Sequence, residues 1–218
     1  MRSLCTFLLV FAAVGFAQTT IRTIQANGSA TLQVNPDQAT LDVGVVTNAA
    51  TAQDSAAQNA TQTTAVINAV KSVLNGAGNV QTLYYSVTPR YATNGSTITG
   101  YTTINTLRIT TTDLSILGRL IDSANGAGAN SVGGLGFGLQ DPDPMVQQAL
   151  TAATKEAMAH ANAIAAGLGG KVGAVISAQE GGSYAPIVPS TAGIAAITPV
   201  QTGTVNVSAS VTLVVQLQ

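Results

Sequence analysis

His160 is the chain's only histidine and its one side chain that ordinarily titrates near neutrality. Glu156 precedes it by four residues, which on a helix puts both on one face. Serine and aspartate are available to complete a Ser-His-Asp arrangement. No Gly-x-Ser-x-Gly elbow presents a serine, however, and an Ala-rich helix is an ordinary setting for a surface or packing histidine. Asp141 and Asp143 form a close acidic pair without the further carboxylates of a calcium loop; at the head of a helix they read as caps on its positive end. The run Gly133-Gly134-Leu135-Gly136-Phe137-Gly138 superficially matches a dinucleotide loop. It sits within a strand and leads into Asp141-Pro142-Asp143-Pro144, so it reads as a bulge or a close backbone approach. These readings leave no catalytic residue, no metal ligand set and no cofactor. What remains is aromatic: Tyr84, Tyr85, Tyr91 and Tyr101 gather on one predicted hairpin. They form a candidate face for stacking a small ligand, although tyrosine is also a good strand former and ordinary sheet packing accounts for the same cluster.

The segment that would carry these residues out of the cytoplasm comes first. Residues 1–17, MRSLCTFLLVFAAVGFA, have a positive start at Arg2, an apolar run from Leu4 to Val14 and a small-x-small site at Gly15-Phe16-Ala17. The run is shorter than the roughly 20 residues a membrane-spanning helix needs. It reads as a secretory signal peptide, with one domain over 18–218. Cleavage would remove Cys5, the only cysteine, and with it disulfides, thiolate metal sites and a cysteine nucleophile. Only 8% of residues are charged, and no basic patch or charge block occurs. That argues against nucleic acid, and a surface so poor in charge is weakly defended against self-association. No second apolar stretch reaches membrane length.

The elements follow from periodicity. Ile24, Ala26, Ala30, Leu32 and Val34 alternate with polar residues, and Ala39, Leu41, Val43 and Val45 resume after Asn35-Pro36-Asp37, which predicts a hairpin with one buried face. From Thr51 to Leu74 the period becomes helical, with Ala56, Ala60, Thr63, Ile67, Val70 and Leu74 as the stripe and a stop at Asn75-Gly76. Strands at Val80–Tyr91 and Gly100–Thr111 flank the hairpin signal Asn94-Gly95. Ile104 and Leu107 differ in parity, so a bulge or a two-sided strand is expected there. Asp113 caps a short helix with Leu114, Leu117, Leu120, Ile121 and Ala124. Ser131–Leu139 is a glycine-rich strand. A long helix then carries Val146, Ala149, Leu150, Ala153, Ala157, Ala161, Ile164 and Leu168 as its stripe. Strands at Val172–Ala178 and Val205–Leu217 bracket an aperiodic segment, 181–202, that reads as a long mobile loop. The fold class is α+β: a largely antiparallel sheet built from hairpins, with helices packed on one face.

These segments together resemble the SIMPL-domain family, also called DUF541. The resemblance rests on Gly28-Ser29-Ala30 with Val34-Asn35-Pro36-Asp37-Gln38-Ala39, on Leu83-Tyr84-Tyr85-Ser86-Val87 with Pro89-Arg90-Tyr91, and on Gly100-Tyr101. Gly126-Ala127-Gly128-Ala129-Asn130 and Phe137-Gly138-Leu139-Gln140-Asp141-Pro142 complete it. It implies an exported, periplasmic or cell-envelope protein that is not an enzyme. It also implies homo-oligomeric assembly, ring- or channel-like in some members, an outer-membrane association and a part in oxidative-stress defence. The family supplies no catalytic residues to carry over. This chain has fewer charged residues on its helices than the family pattern, which bears on assembly contacts. The alternative function is a small-ligand-binding module built on the tyrosine hairpin.

Overall fold

The computed structural model describes residues 21–93, 95–184 and 200–218. The predicted leader, Asn94 and most of the 181–202 segment lie outside the described residues. The order is β1 Thr23–Val34, β2 Gln38–Ala49, α1 Ala52–Leu74, β3 Gly78–Tyr91, β4 Ile98–Thr111, α2 Leu117–Gly126, β5 Ser131–Gly138, α3 Asp143–Gly167, β6 Val172–Tyr184 and β7 Val205–Leu217. The pairings are antiparallel, and the class is α+β as expected. β6 runs on to Tyr184, so the first residues of the predicted loop are strand.

The strands form two sheets, ordered β1-β7-β6 and β3-β4-β2-β5. The expected opening hairpin therefore does not form. β1 pairs with β7 through twelve residues in unbroken register, while β2 lies between β4 and β5. Alternation identifies a buried face but not a partner, and Asn35-Pro36-Asp37 proves to be a corner between sheets. Asp37 fixes that corner to the exit of β5: its N–H donates to the Gly138 carbonyl at 3.1 Å, and its carboxylate accepts from the Gln140 N–H at 2.7 Å.

Each sheet carries its helices on one face. Leu41, Val43 and Val45 of β2 and Leu107 and Ile109 of β4 pack beneath α1 and α2. Val211, Leu213 and Val215 of β7 pack with Ile24 and Ala26 of β1 beneath α3. α1 begins at Thr51, whose Oγ1 accepts from the Asp54 N–H, and ends at Asn75 in the left-handed region at φ 44°. Its buried stripe differs from the predicted one in the first half: Ser55 and Asn59 point inward, and Ala56 and Ala60 do not. The reason is polar satisfaction. Ser55 Oγ lies 2.8 Å from Thr103 Oγ1, and Asn59 Nδ2 donates to the Val45 carbonyl at 2.8 Å and more weakly to the Thr103 carbonyl. Thr63 donates to Asn59 Oδ1. A hydrophobicity pattern cannot see such a network, because its members look like surface residues.

α3 meets its sheet through Ala149, Ala153, Ala157, Ala161 and Ala165, all buried. Methyl-sized contacts bring the helix close to the strands. Gly28 marks a close approach: a Cβ there would collide with the Ala153 carbonyl oxygen and the Ala157 nitrogen. Ile164 and Leu168, expected in the stripe, are exposed instead, because the inward direction passes to Ala165 at the last turn.

Candidate functional site

The residues with chemical potential are mostly committed to the fold. His160 Nδ1 lies 2.7 Å from the Asn27 carbonyl oxygen, and Glu156 accepts a hydrogen bond from the Ser29 N–H at 2.6 Å. A carbonyl only accepts, so Nδ1 carries the proton in that contact. β1 is an edge strand. Asn27 and Ser29 are two apart along it, so their free backbone groups face outward together. One turn of α3 supplies an acceptor and a donor at the places where a neighbouring strand would supply them. Asn130 does the same for β2 beyond the last β5 pairing. Its Oδ1 accepts from the Val46 N–H at 2.8 Å and its Nδ2 donates to the Val46 carbonyl at 2.7 Å. Asp141 Oδ1 accepts from the Asp143 N–H just ahead of α3, and Asp143 places its charge in the first turn, but the N-cap position itself falls to Pro142, which has no side-chain cap. The glycine run forms β5, and its register against β2 shifts between Thr40 and Asp42. Gly134, at φ 58°, packs against the Asp42 carboxylate. Arg108 forks onto that carboxylate with two 2.8 Å contacts, and the hydrogen bond and the negative charge raise the guanidinium pKa above its usual value. Among the described residues no three His, Cys, Asp or Glu side chains group to hold a metal ion.

The tyrosine hairpin is different. β3 is the edge strand of the four-stranded sheet, and Tyr84, Tyr85 and Tyr91 are each about half exposed, as are Leu83 and Ile98. Register separates the four tyrosines. Thr82 pairs with Leu107 and Tyr84 with Thr106, which leaves Leu83 as a bulge. Tyr84 and Tyr85 are consecutive, with partners Thr106 and Asn105, and so point to opposite faces. Tyr85 and Tyr101 share the helix side, their positions about 13 Å apart along the strands. Tyr91 pairs with Ile98 beyond a second irregularity at the hairpin end. β4 itself runs unbroken against β2, so the parity of Ile104 and Leu107 reflects a two-sided strand, with the bulge on β3. Among the described residues two buried polar atoms next to Tyr85 lack a partner: Oδ1 of Asn105, its cross-strand neighbour on the same face, and Oγ of Ser86, the next residue, on the opposite face. Sequence reasoning found the tyrosines but not these two, whose residue types carry no signal of their own.

The sequence pattern of the SIMPL family, described as a protein of unknown function (DUF541), matches residues 24–215. The chain is similar to the "26 kDa periplasmic immunogenic protein" of Brucella melitensis, with 27% identity over 82% of this chain and 77% of the relative. The Brucella abortus protein of the same description gives the same figures. It is also similar to the "Uncharacterized protein YggE" of Escherichia coli, with 29% identity over 72% of this chain and 64% of that protein. The matched span takes in both sheets and the three helices, with their edge-binding side chains and the tyrosine hairpin, and the chain belongs to the SIMPL (DUF541) family.

Proposed function

We propose that the protein is an exported component of the cell envelope, without catalytic chemistry of its own, that works by assembling with further copies of itself through the β3–β4 hairpin. The observation that carries this is the half-exposed set Leu83, Tyr84, Tyr85, Tyr91 and Ile98 on both faces of an edge hairpin. Large apolar side chains grouped on a surface with so few charges favour association. Among the described residues, Ser86 Oγ and Asn105 Oδ1, one on each face of this hairpin, are buried without a partner, so the polar groups of β3 and β4 are incompletely satisfied where the apolar side chains are exposed. Export is supported by the leader-like residues 1–17 and by the periplasmic description of the Brucella relatives. A part in oxidative-stress defence would then run through the assembly, since Cys5 in the leader is the only cysteine. Light scattering of the chain from Gln18 onward tests the reading at high micromolar concentration. A defined multimer is expected, and a monomer overturns the proposal.

A second reading, a small-ligand site, is favoured by the unpartnered Asn105 Oδ1 on the helix side of the sheet with Tyr85 and Tyr101. It drops Tyr84, which faces away. A thermal-shift screen of hydrogen-bond-donating aromatic compounds tests it. The expected result is a stabilisation that Tyr85→Ala and Asn105→Ala each remove, and a shift that survives both changes rejects the site.

A further inference from the structure

The three-stranded sheet has one end where β1 starts, β7 stops, β6 starts and α3 runs out. Backbone hydrogen bonds tie that end together. The Lys171 N–H donates to the Gln218 carbonyl at 2.7 Å, the Gln218 N–H returns to the Lys171 carbonyl, and the Leu217 N–H donates to the Arg22 carbonyl at 2.9 Å. On this framework Ile21 is 59% exposed and Leu168 65%, with Ile164 one turn before Leu168 on α3 and Val175 and Ile176 on β6 also exposed. Arg22 and Lys171 are exposed among them. Residues 21–25, 161–178 and 213–218, which make up this end, include no aspartate or glutamate. In a chain with an acidic excess, an end with exposed aliphatic side chains, two cations and no acidic side chain is a local reversal of side-chain charge.

We propose that this end is a docking surface for an anionic lipid bilayer. Aliphatic side chains that reach the headgroup boundary, with cations beside them, are the combination by which peripheral proteins hold a negatively charged membrane surface. The charges argue against a second copy as the occupant. A two-fold contact through this end would gather Arg22 and Lys171 of both copies, with no acidic side chain among the residues that make it up to pair them. A lipid surface of opposite sign meets both cations favourably, each contributing about a factor of five in partitioning.

Co-sedimentation of the chain from Gln18 onward, which holds every strand and helix described, tests the proposal. One set of vesicles is equal parts phosphatidylglycerol and phosphatidylcholine, the other phosphatidylcholine alone. Binding to the anionic vesicles is expected to be about 25-fold stronger than to the neutral ones. Leu168→Asp should abolish it and Lys171→Glu should weaken it about tenfold or more, both with unchanged melting temperature because the side chains are exposed. Tyr85→Asp, which tests the assembly reading, should leave vesicle binding in place. Absence of binding to anionic vesicles overturns the proposal, as does equal binding to the two compositions or binding that survives both substitutions. A change of particle size caused by Leu168→Asp in the absence of vesicles also overturns it, by assigning this end to a contact between copies.

Discussion

The two sheets treat an outermost strand in opposite ways. β1 lies beside a helix close enough that Gly28 has no room for a side chain, and Glu156 and His160 meet its outward backbone groups. β3 has a bulge at Leu83 and a proline at position 89, both of which discourage another strand from adding to its edge. Yet its side chains stay half exposed and apolar on both faces. One edge is closed by side chains reaching in from α3, while the other is closed to strand pairing but open to side-chain contact. Under the proposed assembly, this difference assigns the contact to the faces of the β3–β4 hairpin and not to the extension of a sheet.

The most severe way to break this contrast is Gly28→Val. The new Cβ would strike the backbone of α3, the helix would lift from β1, and the β1 edge would lose its closure. A loss of about 3 kcal/mol or more is expected in urea denaturation. The counterpart beneath the other sheet is Asn59→Ala, which strips the buried partners of the Val45 carbonyl and Thr63. A loss of about 2 kcal/mol is expected by the same measurement, with β1 protection unchanged. Glu156→Ala with His160→Ala sharpens the comparison by removing the closure alone. About 1 kcal/mol per hydrogen bond is at stake, and hydrogen exchange at the Ser29 amide should accelerate while the Gly78–Tyr91 amides stay as they were. Unchanged exchange at Ser29 would show that α3 does not protect the edge. The smallest stability effect belongs to Leu83→Asp, within about 0.5 kcal/mol, because the side chain already meets solvent.

Much of this was legible in residue order. The Thr51 start and Asn75 stop of α1, the capping role of Asp113, the strand nature of the glycine run and the long final strand all follow from local chemistry that one segment settles by itself. Pairing was not legible: β1 and β2 read as a hairpin because alternation looks the same whichever strand lies alongside. Nor was the inward turn of Ser55 and Asn59, since a buried polar stripe has the composition of an exposed one. The same limit applied to His160 and Asn130. Their partners are backbone groups more than eighty residues away, and no spacing rule points to them. The tyrosines were found, but the bulge at Leu83 decides which of them share a face, and a bulge leaves little trace in sequence.

The central claim is that the hairpin is the contact between copies, and light scattering of the wild-type chain beside the Leu83→Asp, Tyr85→Asp double variant tests it most directly. The account predicts a multimer for the wild type and a smaller particle for the variant, with the melting temperature of an isolated subunit retained. A wild-type monomer, or a variant whose particle size matches the wild type, would contradict it.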